Sequence, residues 1–208
     1  MYKLLLWAGA AALSVAAQTA HQHHPPRSAD EYAKVLNDPG REAWQKPHEV
    51  VMALGLKPTD VVADIGAGTG YFARRFAHHA AKVYAVDIDQ RLLEIASKDA
   101  PANLIPVLAS PDDPKLPPAS VDLIFLCDTL HHIENRPAYY PKLARALKPG
   151  GRIVNIDFQK RVLPVGPPAG MKLSAEQVSS EFAAAGFVRT KSLELLPYQY
   201  FLVFEKER

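Results

Sequence analysis

The sequence is poor in cysteine and carries little net charge, and each shortage excludes a class of protein. Cys127 is the single cysteine among 208 residues, so the chain forms no internal disulfide and no metal site built from several cysteines. The formal net charge of +2 is too small to indicate a nucleic-acid partner. Hydrophobic residues make up 48% and charged residues 22% of the chain, which is typical of one globular domain with a sizeable core.

A long apolar run occurs at the N-terminus, where LLLWAGAAALSVAA follows Lys3. A short positive head, a short apolar core and small residues ending at Ala17 are typical of a secretory signal peptide. The run is shorter than the stretch of about 20 residues that spans a bilayer comfortably. Residues 1–17 are therefore predicted to be a signal peptide or an N-terminal anchor, and residues 18–27 a polar linker; the alternative is a buried or surface helix.

The location of the protein depends on the fate of this run. Cleavage after Ala17 predicts an exported or periplasmic protein, an uncleaved run predicts a membrane-anchored one, and a cytoplasmic location stays open. We expect a membrane contact only through such an anchor. His21, His23 and His24 of the linker could bind a metal, but a solvated linker is the favoured interpretation, so no metal site is predicted. The sequence does not indicate an oligomeric state.

From residue 28 onward, helix and strand patterns alternate. Helices are predicted at residues 28–37, 47–54, 71–80, 90–100, within 136–151 and at 174–187. Strands are predicted at residues 61–65, 82–89, 103–109, 121–128, 152–158, 188–196 and 199–207. This alternation predicts an α/β fold with a doubly wound, mostly parallel seven-stranded sheet and helices on both faces. A short turn joins the final two strands, so the last strand should be antiparallel.

The stretch VVADIGAGTGYFARRFA (residues 61–77) combines a strand, a glycine turn and a helix, which is the entrance to a nucleotide-binding sheet. Asp87 ends the next strand, and parallel strands place their carboxyl ends along one pocket. An acid at that position can accept both ribose hydroxyls of an adenosine. NAD and other adenosine cofactors fit this arrangement equally well.

Two details of the loop separate these cofactors. The dinucleotide fingerprint would place its third glycine at Tyr71, whereas the loop has Gly66, Gly68 and Gly70. Asp64 would repel a pyrophosphate at close range and attract a cationic amino-acid group. S-adenosyl-L-methionine has an adenosine, an ammonium and a sulfonium but no phosphate, so it is the predicted cofactor, and an NAD-dependent oxidoreductase is disfavoured.

Four segments in order, DIGAGTG, VYAVDID, VDLIFLCDTLHHI and ALKPGGRIVNIDF, resemble the successive motifs of class I S-adenosylmethionine-dependent methyltransferases. The similarity to the small-molecule branch, methyltransferase type 11, covers about residues 47–206. It implies a Rossmann-like methyltransferase fold over residues 28–208, with N-terminal helices at 28–54 and an α/β core at 55–208. It also implies an enzyme that moves a methyl group to a small-molecule acceptor by in-line displacement.

The resemblance assigns most of the cofactor contacts to two of these segments. Asp87 matches the acid that binds the ribose, and Ile88 beside it would pack on the adenine. The loop under the methionine part of the cofactor is formed by Asp64, Gly66, Gly68 and Gly70.

Two further cofactor contacts are implied, each with a structural alternative. Asp112 matches the acid that meets the adenine amino group, although Asp112 and Asp113 in their proline-rich loop could simply be solvated. Cys127 and Asp128 match positions whose backbone lines the methionine and the transferred methyl, although a buried thiol at a strand end usually only packs.

The candidate catalytic residues are His131 and His132, just past the fourth predicted strand. A histidine at the pocket mouth could act as a general base because it titrates near neutral pH. The alternative role for this pair is packing or helix capping. Trp44 is either part of a lid over the cofactor or a core anchor, and Tyr139 and Tyr140 are interpreted as residues of a helix face.

The acceptor should be recognised by residues 28–54 and 159–173, whose apolar and proline content indicates a small, partly hydrophobic molecule. The second hypothesis for function is an exported, non-catalytic binding module that retains the adenosine pocket. Calorimetry with cofactors, combined with a turnover assay, discriminates the two.

Overall fold

The structure is a computed structural model that describes residues 28–207. The predicted leader (residues 1–17) and the predicted linker (residues 18–27) lie outside the described residues, so they stay predictions. The strands are β1 (Val61–Ile65), β2 (Lys82–Asp87), β3 (Leu104–Leu108), β4 (Val121–Cys127), β5 (Leu147–Phe158), β6 (Phe187–Leu193) and β7 (Gln199–Lys206). The helices are α1 (Ala29–Leu36), α2 (Glu42–Gln45), α3 (Pro47–Leu54), α4 (Ala73–Phe76), α5 (Gln90–Ser97), α6 (Arg136–Ala146) and α7 (Ala175–Ala184).

All seven strands form one sheet in the order β3-β2-β1-β4-β5-β7-β6. Strands β1 to β5 pair in parallel, whereas β7 pairs antiparallel with both β5 and β6. The doubly wound, seven-stranded α/β fold with an antiparallel last strand is therefore confirmed. Because the strand order reverses between β1 and β4, the carboxyl ends of these two strands border the crevice where such sheets bind ligands.

The central strand β4 is buried on both faces, which explains its almost continuous apolar sequence. On one face, Phe125 packs 4.9 Å from the ring centroids of Phe72 and Phe76, on the side covered by α3 and α4. On the other face, Ile124 belongs to a core that includes Phe182 of α7. Burying one such phenylalanine contributes about 1.5–3 kcal/mol, so this double core holds the strand ends in place.

The helix after the glycine loop is shorter than predicted. Residues 71–80 suggested one helix, but α4 covers only Ala73–Phe76. The side-chain amide of Asn103 donates to the carbonyl oxygens of Ala77 and Ala80, both at 2.9 Å, and these bonds replace a further helical turn. A contact this distant in sequence cannot be predicted from the local pattern.

Other boundaries also moved where tertiary contacts decided them. Strand β5 begins at Leu147 rather than after the Lys148–Gly151 turn, because Leu147 pairs with Val121 before a register shift. The short helix α2 was not predicted. In contrast, Pro47–Leu54 forms a helix as predicted, with Gly55 in the left-handed conformation (φ 57°) at its end.

Two tyrosines of α6 pack in the core, as expected for a helix face. Tyr139 and Tyr140 are 4% and 1% exposed, so neither lines a mouth. The Tyr140 hydroxyl donates to Glu181 at 2.8 Å, and Arg136 donates to both oxygens of the same carboxylate. These bonds, chiefly those from Arg136, lower the pKa of Glu181 to about 2 and join α6 to α7.

No helix within residues 28–207 is long and apolar enough to cross a membrane.

Candidate active site

The glycine loop between β1 and α4 has a backbone that only glycine adopts easily. Gly66, Gly68 and Gly70 have φ values of 74°, 55° and 81°. A Cβ on Gly66 would lie 2.3 Å from the Thr129 hydroxyl oxygen, so this glycine also lets the segment after β4 approach the loop. The amides of Gly66 and Ala67 donate to the Val86 carbonyl at 2.8 and 3.0 Å. The loop is therefore a tight cradle fixed to β2.

This geometry predicts a large stability loss for Gly66→Ala. The positive φ and the collision with Thr129 should together cost about 2–5 kcal/mol in the free energy of unfolding. Adding Thr129→Ala removes the colliding hydroxyl and methyl and should recover part of that loss. Urea unfolding measures both effects, with Gly170→Ala as control because an added Cβ there meets no atom within 4 Å. Equal stability of Gly66→Ala and Gly170→Ala would contradict the described loop.

Asp87, at the end of β2, joins the glycine loop to the rest of the site. Its Oδ2 accepts from the Gly68 amide at 2.7 Å, and its Oδ1 accepts from the Asp89 amide at 3.0 Å. Burial raises the pKa of Asp87, although these backbone bonds lower it. Ile88 beside it is 43% exposed, so this end of the crevice is open to a flat apolar group.

Asp64 lies under the loop and is 3% exposed. Burial raises the pKa of Asp64 to about 7, and the nearby Asp87 charge also raises it, whereas the Ala73 backbone amide and Arg41 lower it. A carboxyl group with this environment gains most from a cationic ligand, because a positive charge would stabilise its ionised form.

The N-terminal segment covers the glycine loop. The sequence had suggested such a cover only through Trp44. The Leu36 side chain lies 2.9 Å from where a Cβ on Gly68 would be, and the Thr69 hydroxyl donates to the Asn37 side-chain oxygen at 2.7 Å. Trp44 packs 5.6 Å from the Phe158 ring, measured between ring centroids, so it anchors this cover to the end of β5.

Arg41 brings a positive charge to the site, and sequence reasoning missed this residue. Its guanidinium donates to the Leu36 carbonyl at 2.9 Å and to the Gln45 side chain at 3.0 Å. The same group lies 3.8 Å from Asp128 Oδ2 and 4.3 Å from the centroid of the Tyr71 ring. Arg41 therefore faces the acids of the crevice while it belongs to the N-terminal cover.

A buried amide network extends from Arg41 to the ends of β4 and β7. The Gln45 amide nitrogen donates to Gln199 at 2.8 Å and to the Cys127 sulfur at 3.2 Å, and Gln199 donates to Asp128 at 2.6 Å. Burial and the charge of Asp157 raise the pKa of Asp128 to about 7. Burial also raises the pKa of the Cys127 thiol, which favours a packing role over nucleophilic chemistry.

His131 forms a buried pair with Asp157, a residue that sequence reasoning had not singled out. The Nδ1 atom of His131 lies 2.9 Å from both carboxylate oxygens of Asp157, and the two side chains are 3% and 0% exposed. Burial lowers the pKa of His131, but the hydrogen bond and charge of Asp157 outweigh it and raise the pKa above its usual value. The His132 ring centroid lies 4.1 Å from that of His131.

The last predicted contact, Asp112, lies in the loop after β3 and is exposed. Its side chain is 78% exposed, accepts from the Ser110 hydroxyl at 2.8 Å and lies 3.7 Å from the Lys142 ammonium. The structure thus gathers Asp64, the glycines, Asp87, Cys127 and the histidines along the carboxyl edge of the sheet. The role of Asp112 stays a prediction.

Comparisons with known proteins agree with this geometry. Residues 63–155 match the family model described as a methyltransferase domain. A demethylmenaquinone methyltransferase from Tropheryma whipplei is 34% identical over 149 residues, covering 68% of this chain and 62% of that protein. A 27-O-demethylrifamycin SV methyltransferase from Amycolatopsis mediterranei is 31% identical over 147 residues, covering 68% of this chain and 52% of that protein.

The chain thus spans about half to two thirds of the length of these curated relatives. Among solved structures, a SAM-dependent methyltransferase from Aquifex aeolicus superposes with a TM-score of 0.80. That match has 24% identity and covers 86% of this chain and 98% of that one, so it shows a shared fold. Residues 63–155 thus resemble a methyltransferase domain, and the solved structure shows that the fold is shared.

Proposed function

We propose that the protein is an S-adenosylmethionine-dependent methyltransferase that moves a methyl group to a small-molecule acceptor by in-line displacement. The observation that carries this proposal is the pairing of a tight glycine cradle with two carboxyl groups, the buried Asp64 and the half-buried Asp87. This set of groups suits an adenosine joined to a cationic amino acid. It does not suit a diphosphate, which the carboxylates would repel.

One amide of the glycine loop already has an acidic partner. Gly68 donates to Asp87, so this N–H group is not free to bind a pyrophosphate. In the proposed complex, Asp87 would hold the ribose and Ile88 the adenine. Asp64 would favour the cationic end, and Arg41 would hold the methionine carboxylate through its guanidinium.

The cofactor supplies a methyl group on a sulfonium, which is already activated, so the protein mainly orients the reactants and excludes water. Asp157 holds Nδ1 of His131, which fixes the ring and its tautomer. In our proposal, Nε2 of His131 accepts the proton of a hydroxyl or carbon acid in the acceptor. A thiolate acceptor would not need this base.

The raised pKa of Asp64 predicts that cofactor binding depends on pH. Below about pH 7 the buried carboxyl is mostly protonated, and above it the carboxylate attracts the cationic ligand. Affinity for S-adenosylmethionine should therefore rise about tenfold between pH 6 and pH 8, with release of a proton on binding at the lower pH. Calorimetry in buffers of different ionisation enthalpy measures both quantities.

Asp64→Asn should flatten most of this pH dependence, leaving the part due to Asp128. The matched control is Asp60→Asn, because Asp60 precedes β1 and is also buried (9% exposed). Its carboxylate accepts a hydrogen bond from the Lys57 amide at the amino end of β1, away from the crevice. An affinity that does not change with pH in the natural protein would contradict the assigned role of Asp64.

The acceptor is proposed to be small and partly hydrophobic. Two relatives are named for a demethylmenaquinone and a demethylrifamycin, and Trp44 packs on Phe158, the residue that follows Asp157. A screen of phenol, quinol, thiol and amine acceptors with methyl-labelled cofactor tests this proposal. Label transfer to a phenol or quinol would support it. Cofactor binding without transfer to any acceptor class would instead favour the non-catalytic binding module.

A further inference from the structure

The connection between β5 and α7 contains a run of residues without charge. Residues 162–171, here called the apolar loop, read VLPVGPPAGM and include no charged, hydroxyl or amide side chain. Val162 is 89% exposed, and Pro164 and Pro168 are exposed too, whereas Leu163 and Val165 are half-buried. A single exposed apolar residue needs no explanation, but three in one short loop without any polar side chain do.

The two ends of the apolar loop are held together, and part of the loop packs on the protein. The buried ammonium of Lys172 donates to the Arg161 carbonyl at 2.8 Å, so the two ends of the loop meet. The same ammonium lies 5.6 Å from the centroid of the Phe158 ring. Gly166 packs on that ring, because an added Cβ would lie 2.7 Å from it. The exposed apolar side chains are therefore presented on a fixed base.

The prolines of the loop reduce its number of backbone donors. Pro164, Pro167 and Pro168 have no N–H group, so three residues of the loop leave no donor unpaired when water is removed. The amide of Met171 donates to the Pro168 carbonyl at 3.0 Å, which satisfies another donor internally. Removing this loop from water therefore costs less than removing an ordinary polar loop.

Two cations lie at the base of the apolar loop. Lys160 and Arg161 are both exposed. The Arg161 guanidinium is held at the surface by the Gln159 side chain at 2.8 Å and the Pro197 carbonyl at 3.4 Å. In a bilayer, anionic headgroups lie outside the acyl chains. The apolar loop and the two cations beside it have the same arrangement, because the cations lie nearer to the rest of the protein than the apolar residues do.

We propose that the apolar loop docks the protein on an anionic lipid surface, with Val162 in the acyl region and Lys160 and Arg161 at the headgroups. This contact is separate from any contact made by the N-terminal run. The loop leaves the sheet directly after Asp157 and Phe158, so docking would turn the acceptor side of the crevice toward the bilayer. Only that last consequence, the supply of a hydrophobic acceptor from the membrane, rests on the proposed function.

The test uses the full chain carrying Val162→Cys labelled with an environment-sensitive fluorophore. Cys127 is buried, so the new thiol is the accessible one among residues 28–207. The control is Val188→Cys, because Val188 is also exposed (42%) but lies level with the start of β5, at the opposite end of the strands from the loop. Circular dichroism confirms that both labelled variants keep the fold.

On vesicles of phosphatidylcholine mixed equally with phosphatidylglycerol, the probe at 162 should shift to shorter wavelength and be quenched by brominated lipid. The probe at 188 should do neither. Pure phosphatidylcholine should bind the loop more weakly, and Lys160→Glu with Arg161→Glu should weaken loop binding to the mixed vesicles about tenfold.

The probe at 162 reports on the loop itself. If the protein binds vesicles through the N-terminal run alone, the probe stays in water and does not shift, and this result overturns the proposal. Equal shifts at 162 and 188, or a shift that does not depend on anionic lipid, overturn it as well. A shift that appears without vesicles and grows with protein concentration would show that a second copy covers the loop, and would also overturn it.

Discussion

Asp87→Asn should lower the affinity for S-adenosylmethionine about 100-fold. In the proposed complex the Asp87 carboxylate accepts hydrogen bonds from both ribose hydroxyls, and bonds to a charged acceptor are each worth about 1.5–3 kcal/mol. An amide keeps only one accepting oxygen, and its NH2 group would face either the Gly68 amide or the Asp89 amide. Isothermal calorimetry of the purified protein measures the change.

Asp89→Asn provides the matched control for this substitution. Asp89 is two residues away and caps α5 by accepting from the Arg91 and Leu92 amides. Asparagine caps helices about as well as aspartate, so the control should bind cofactor normally. Asp87→Asn should weaken S-adenosylmethionine and S-adenosylhomocysteine by the same factor, because both contain the ribose. Unchanged affinity, or a loss confined to the sulfonium compound, would show that Asp87 is not the ribose contact.

Asp157→Asn should lower the rate of methyl transfer to a hydroxyl acceptor about 100- to 1,000-fold while cofactor affinity stays unchanged. The carboxylate holds Nδ1 of His131, and an amide would no longer fix the ring as a base. His131→Ala should have a similar effect. The double variant should be little worse than either single one, because the two residues act as a unit.

The pH profile distinguishes this positioning role from a merely structural one. The Asp157 bond and charge raise the pKa of His131, so the rate in the natural protein should rise with pH through a midpoint above the usual histidine value. In Asp157→Asn that midpoint should move down, toward or below about 6.5. An unchanged midpoint, or a rate unaffected in His131→Ala, would exclude His131 as the base.

The parts of the site that could be predicted from the sequence are those fixed by local geometry. The glycine loop, Asp64 and Asp87 follow from a strand, a turn and a strand end that are close in the chain, and the structure brings them together as expected. The seven-stranded sheet was predictable for a similar reason, since the apolar pattern and the short last turn determine the direction of the strands.

The missed residues depend on contacts between distant segments. Gln45 meets Gln199 across 154 positions, and Arg41 reaches Asp128 from a turn outside the predicted helices. No spacing rule connects such pairs. Asp157 was the exception, because it is nearly the last residue of a predicted strand at the ligand-binding edge. A systematic survey of strand ends for polar residues would have found it.

Calorimetric titration of the full chain with S-adenosylmethionine, S-adenosylhomocysteine and NAD tests the central claim most directly. If the glycine cradle, Asp64 and Asp87 hold a cationic sulfur nucleoside, both sulfur compounds bind at one site and NAD does not. Binding of NAD to the folded protein, with no heat from either sulfur compound, would contradict the account.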